Sequence, residues 1–189
     1  MAICVASRPA RGQPFGAMTD RPLSDRLTFL RERHAHDRRH VASAYDRMVE
    51  TLVARGVTAG ALGVGGMIPD FALPASDGRF VHSADLLAQG PLVISFYRGS
   101  WCFYCESELT ALRDAHPALL AAGGQVVAIA GEAGGRSAAS KRDFAWFLPI
   151  PATYVVASDG RVVAAHVDPD FRKRMEPADI VAALVALRG

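Results

Sequence analysis

Cysteine is scarce in this chain, with three among 189 residues and only two of them close together. That scarcity excludes the disulfide framework of a small secreted domain, and a reducing, cytoplasmic setting is the expectation. Long apolar runs are lacking as well. No stretch approaches the ~20 residues needed to span a bilayer, so no membrane partner is expected. The patch Ala2-Ile3-Cys4-Val5-Ala6 has no basic segment before it and too few apolar residues for a secretion signal. Met18 opens a polar segment and is an alternative translation start, which would leave Cys4 outside the native protein. Charge of one sign is also missing. A formal +2 is too small to imply nucleic acid or an anionic membrane, even though the N-terminal third is rich in arginine.

Half of the residues are apolar, which suffices for one sizeable core in a single domain with an added helix. We read residues 1–23 as a flexible leader, 24–66 as an N-terminal helical extension with a Gly-rich linker, and 67–189 as the main domain. Between Ser24 and Arg55 the apolar positions Leu27, Leu30, Val41, Tyr45, Met48 and Leu52 recur at roughly helical spacing, giving one long or two shorter amphipathic helices. His36, His40, Arg38 and Arg39 lie between them, but without a third ligand or interleaved aromatics they read as a solvated face. Gly60, Gly63, Gly65 and Gly66 form no phosphate cradle, since no strand precedes them and no helix follows.

The chemistry concentrates at Cys102 and Cys105. The apolar run Pro91 to Tyr97 reads as a buried strand, and a helix-like run begins near Phe103. A Cys-x-x-Cys pair at that junction meets unpaired amides and the positive end of the helix dipole, which favour thiolate over thiol. The two intervening residues let the sulfurs meet in a small ring. The alternatives are half of a structural zinc site, for which His116 and His166 lack ligand spacing, and inert core thiols.

Around this pair the elements follow an order. Asp77-Gly78 turns between two short extended pieces, and a short helix covers about Ser83 to Leu87. Leu109, Leu112, His116 and Leu119 step along a helix to the Gly123-Gly124 stop, and Val126 to Ala130 reads as an interior strand of a parallel sheet. A further helix is expected around Ser137 to Phe147, then a hairpin of Ala152–Val156 and Arg161–Ala165 about Ser158-Asp159-Gly160. Pro177 opens a last helix. This is the order of a thioredoxin-like α/β fold, with a central mixed β-sheet flanked by helices and, here, an N-terminal helical extension.

The block Tyr97-Arg98-Gly99-Ser100-Trp101-Cys102-Phe103-Tyr104-Cys105 resembles the peroxiredoxin-like branch of the alkyl hydroperoxide reductase/thiol-specific antioxidant family. Pro69-Asp70-Phe71-x-Leu73 and Asp77-Gly78-Arg79 are similar to the family's opening segment, and Pro149 to Ala182 to its C-terminal part. The resemblance covers about residues 67–188. The resemblance to thioredoxin-like proteins implies a cis Ile150–Pro151 bond beside the cysteines, with Pro149 and Pro151 as ordinary loop prolines the alternative; the family resemblance implies no cofactor, a hydroperoxide substrate, a thioredoxin-like or low-molecular-weight thiol as reductant, and a monomer or homodimer.

Against the family's Pro-x-x-x-Thr-x-x-Cys register, Arg98 replaces the proline, Cys102 the threonine, and Cys105 falls on the peroxide-attacking position. The arginine that the family places near the later strand has no match at Pro151-Ala152-Thr153, leaving Arg98 as the nearest substitute or as a surface partner of Glu106 or Glu108. The crossover 131–148 is shortened, and Phe103 stands where the branch usually has proline. The resemblance thus implies Cys105, Cys102 and Arg98 as catalytic groups. Trp101, Tyr104, Pro151 and Thr153 are the expected substrate-side groups, with Trp101 and Tyr104 packing and docking rather than catalysing, and Thr153 filling a strand position. Two other functions stay open: thiol–disulfide exchange on protein disulfides with Cys102 attacking, and a non-enzymatic redox-sensing or zinc-holding module.

Overall fold

The computed structural model describes residues 2–4, 21–131 and 149–189; the helix expected around Ser137 to Phe147 lies outside them. Strand β4 (Leu92–Tyr97) is the central strand. It runs parallel to β5 (Gln125–Ala130) and antiparallel to β6 (Ala152–Val156), which pairs with β7 (Val162–Val167). The leader is not wholly detached from the sheet. Its residues Ala2–Cys4 form β1, antiparallel to Ala128–Ala130 of β5, so among the described residues the sheet has five strands in the order β1-β5-β4-β6-β7. Strands β2 (Ala72–Pro74) and β3 (Phe80–His82) make a separate two-stranded sheet about the Asp77-Gly78 turn.

Alternation along β4 divides the core. Leu92 and Ile94 face the layer formed by the segment from Leu62 to Leu87, which includes α3 (Ser83–Leu87). Val93 faces the opposite layer, built from α4 (Phe103–Asp114), α5 (His116–Ala121) and α6 (Pro177–Ala186). Ser95 continues that second face, which is how a polar strand residue comes to lie under α4. The helical run after the cysteines divides in two because Pro117 cannot donate a backbone hydrogen bond and so sits in the first turn of a new helix. All described peptide bonds are trans, Ile150–Pro151 included, which corrects the cis bond implied by the thioredoxin-like fold resemblance; the dipeptide keeps its ordinary trans preference.

The N-terminal extension is two helices, α1 (Leu23–Asp37) and α2 (Arg39–Ala54), broken at Arg38. Leu23, Arg26, Leu27 and Leu30 are the buried residues of α1, a stripe at i, i+3, i+4 and i+7. That stripe packs against both cysteines, Tyr104, Ala111 and Phe171 in a cluster of its own. The Gly-rich linker after α2 is tied down at its end. Gly65 N–H donates to Val162 C=O and Ile68 N–H to Gly160 C=O, so the linker flanks the β6–β7 hairpin.

Leu119 is fully buried between the sheet and α6. Leu119→Ala should lower the unfolding free energy by about 2–5 kcal/mol in a urea titration, because the vacated volume cannot collapse completely. A loss below about 1 kcal/mol would place α5 outside the core.

Candidate active site

The turn from β4 into α4 is completed in five residues. Gly99 sits at φ +149°, a conformation rarely open to a residue with a Cβ, and its carbonyl accepts the Cys102 N–H at 3.2 Å. Cys102 is thereby the extended residue immediately before the helix, and Glu106 N–H returns to its carbonyl at 2.9 Å. The backbone N–H of Cys105, third in the helix, faces the Cys102 sulfur without making a regular capping bond. Both cysteines are free thiols; Cys102 is 4% exposed and Cys105 completely buried.

The Cys102 and Cys105 side chains interact directly, and their environments push them in opposite directions. The Cys102 thiol is pulled down to about 6, first by the hydrogen bond from Cys105 and then, against burial, by the Cys105 amide and the charges of Arg98 and Arg174. Cys105 is pushed up, because its proton is held in that bond and because it is buried beside a thiolate. These effects favour charge on Cys102, the outer cysteine, over Cys105.

Two arginines frame the pair. Arg98 is buried, its guanidinium held 5.0 Å from the Trp101 ring centroid and 4.2 Å from that of Phe171. It bears on Cys102 through its charge, and its backbone faces Cys105. Arg174 comes from the loop between β7 and α6. Its Nη2 donates to Cys105 Sγ at 3.4 Å, and its Nε to Glu108 Oε2 at 2.6 Å. Further N–H groups go to the carbonyls of Phe171 and Lys173. The other oxygen of Glu108 accepts the hydroxyls of Thr153, at 3.0 Å, and Ser95, at 3.4 Å. These two residues face each other across β4 and β6, on the face that Glu108 approaches from α4.

The structure gathers most of the residues singled out from sequence and changes the setting of several. Arg98 is not a surface partner of Glu106 or Glu108; it lies between two aromatic rings, and Glu108 pairs with Arg174. Thr153 does more than fill a strand position, since its hydroxyl fixes the carboxylate that fixes Arg174. Tyr104 is buried, with its hydroxyl 3.3 Å from His34 Nδ1 and its ring edge-on to Phe171. Trp101 and Phe103 are 43% and 46% exposed on either side of Cys102. Pro151 is buried at the head of β6. Sequence reasoning missed Arg174 and Phe171. The signal was present in Asp170-Phe171-Arg172-Lys173-Arg174, and in Glu108, one helical turn beyond Cys105 on the same face of α4. Among the described residues, no group of three or more His, Cys, Asp or Glu is placed to hold a metal ion, and no helix is long and apolar enough to cross a membrane.

A dithiol at the N-terminus of the helix that follows the central strand of a mixed sheet defines a thioredoxin-fold thiol protein. Residues 64–145 match the model of the AhpC/TSA family. Its fold is similar to that of peroxidoxin BcpB from Mycobacterium tuberculosis (19% identity, TM-score 0.53), over 68% of this chain and 99% of that one. It is also similar to a yeast mitochondrial 1-Cys peroxiredoxin (13%, TM-score 0.54, 68% and 77%). A thiol:disulfide interchange protein of Chlorobium tepidum aligns at 20% identity with a TM-score of 0.48, over 68% and 100%. No curated protein matches the sequence.

Because thiolate is the nucleophile, alkylation of Cys102 by iodoacetamide should rise with pH through a midpoint of about 6. Arg98→Ala should move that midpoint upward by about one unit, or about 1.4 kcal/mol of lost preference for the charged form. An unmoved profile would remove Arg98 from the electrostatics of the pair. Glu108→Ala should destabilise the protein by about 3–5 kcal/mol in chemical denaturation, since it leaves the Arg174 charge buried and unpaired.

Proposed function

We propose that this protein reduces hydroperoxides through the Cys102–Cys105 pair, with Cys102 attacking and Cys105 resolving. The observation that carries this reading is the pair of guanidinium groups set on an almost fully buried dithiol. Cleaving an O–O bond throws negative charge onto the departing oxygen, and fixed positive charge in a site shielded from water stabilises it.

In the first step the Cys102 thiolate attacks the terminal peroxide oxygen. An S–O bond forms, the O–O bond breaks, and the alkoxide leaves and takes a proton from water. Cys102 becomes a sulfenic acid. In the second step Cys105 loses its proton and its sulfur attacks that of Cys102. Hydroxide departs with the proton as water, and the disulfide closes. Arg98 acts on the first step through its charge on Cys102. Arg174 acts on the second, since it donates to the sulfur that must become a thiolate. An external thiol, from a thioredoxin-like protein or a small molecule, then returns the two electrons.

This order reverses the one implied by the family register, in which Cys105 meets the peroxide. A helix-terminal amide, the Cys105 thiol and two arginines all favour charge on Cys102, whereas Cys105 is fully buried. The second reading, exchange with protein disulfides, draws support from Trp101 and Phe103, half-exposed beside Cys102, where a partner could rest.

Trapping separates these assignments. After one equivalent of hydroperoxide, Cys105→Ser should carry a dimedone-reactive sulfenic acid on Cys102 and consume about one peroxide per chain, while Cys102→Ser should lose nearly all turnover. A sulfenic acid on Cys105 in Cys102→Ser, with an inert Cys105→Ser, would restore the register order. If wild-type protein reduces insulin disulfides rapidly and consumes no hydroperoxide, exchange is the activity.

A further inference from the structure

We infer that the N-terminal helix pair α1–α2 is the specificity element of this dithiol, a fixed cover that admits a small peroxide to Cys102 and refuses a folded protein's disulfide. The inference rests on the peroxidase reading for its substrate, but the cover itself is a separate structural claim. The two helices span residues 23–54 and so precede the stretch that matches the family.

Both residues between the cysteines are engaged by the extension. The Phe103 ring packs against His34 of α1 with centroids 6.1 Å apart, and the Tyr104 hydroxyl meets His34 Nδ1. Burial, with the charges of Arg38 and Arg33, holds the His34 imidazole below its ordinary range, which favours the neutral ring among these aromatics. Leu23, Leu27 and Leu30 close the same cluster over the sulfurs, and Tyr45 of α2 packs edge-on to Phe171 at 5.1 Å.

The cover is tied at three places. The Glu176 carboxylate accepts the first amides of α1, Leu23 N–H at 3.0 Å and Ser24 N–H at 2.5 Å. Such a carboxylate satisfies orphan donors and complements the helix dipole. Arg172 Nη1 reaches Asp46 of α2 at 2.6 Å, and Arg26 Nη1 lies 3.7 Å from Asp114 at the end of α4. Two of these ties come from the loop that also delivers Arg174 to Cys105.

The consequence for substrates is geometric. Thiol–disulfide exchange needs the attacking sulfur, both sulfurs of the target and the backbone around them to meet in one place. A hydroperoxide presents a single terminal oxygen. With Cys102 only 4% exposed and α1 packed across the turn that carries it, the second fits where the first does not.

The experiment compares two thiol probes, iodoacetamide and a maleimide on a long polyethylene glycol chain, on the full-length reduced protein, with Cys102 modification followed by peptide mass spectrometry. Relative to a free cysteine peptide, wild-type Cys102 should take the large probe far more slowly than the small one. Glu176→Ala and Leu27→Ala should raise the large-probe rate by at least about tenfold while changing the small-probe rate by less than about twofold, because they favour local opening of the cover. Insulin disulfide reduction should increase in the same variants. Rapid small-probe labelling of the buried Cys105 would mark general unfolding. In that event Asp46→Asn, which removes only the charge of an exposed partner of Arg172, carries the comparison and should show the same direction. Equal relief of both probes in wild-type protein, or an unchanged ratio in Asp46→Asn and the other variants, would overturn the cover. Intact size discrimination without hydroperoxide consumption would instead overturn the peroxidase reading and leave the cover standing.

Discussion

The buried ion pair between Glu108 and Arg174 ties together the strands, the helix and the loop that make the site. Both side chains are almost wholly removed from water, at 1% exposure each. Desolvating two charges costs several kcal/mol per ion, and the pair is tolerable only because nearly every lone pair and proton around it is used. Glu108 takes the Ser95 and Thr153 hydroxyls as well as Arg174. Arg174 spends its remaining donors on two carbonyls and the Cys105 sulfur. Strands β4 and β6, helix α4 and the loop before α6 are thus held by one satisfied network, and the path of that loop follows from it.

Reactivity grows from the same constraint. A guanidinium pinned at one end by a buried carboxylate presents its other end in a fixed place, so its field on the sulfurs requires no reorganisation. Arg98 reaches a similar fixity by different means, between the faces of Trp101 and Phe171, where a weakly hydrated planar cation is well accommodated. One cation bears on the outer sulfur, while the other hydrogen bonds to the inner one. Burial of Cys105 and the helix-terminal place of Cys102 favour charge on the outer sulfur.

The loop from Asp168 to Glu176 joins site and extension. Within nine residues it places Arg172 on α2, Arg174 on Cys105, Phe171 under Arg98 and Tyr104, and Glu176 at the start of α1. Its own turn is held by side-chain caps, since Asp168 and Asp170 each accept a backbone N–H two residues on. The extension is therefore integrated with the dithiol site, although neither the family match nor its own arginine-rich sequence marks it as such.

The sequence alone determined what depends on near neighbours. The apolar run of β4, the amphipathic spacing of α1 and the helix start at Cys102 are readable because their causes lie within a few residues: side-chain period, turn chemistry and orphan amides. The Asp77-Gly78 and Asp159-Gly160 turns and the two-residue gap between the cysteines belong to the same kind. Tertiary structure decided what required distant chain to meet. Arg174 stands 69 residues from Cys105 and 66 from Glu108, and Glu176 caps a helix 153 residues earlier. In sequence Thr153 is only one residue of a strand; beside Glu108 it becomes part of the site. The pairing of Ala2–Cys4 with β5 is of the same order, since nothing local distinguishes a short apolar leader from an edge strand. Local preference cannot name such partners, because the free energy that selects them, satisfaction of buried charge and exclusion of water from apolar faces, exists only once the sheet and helices are assembled.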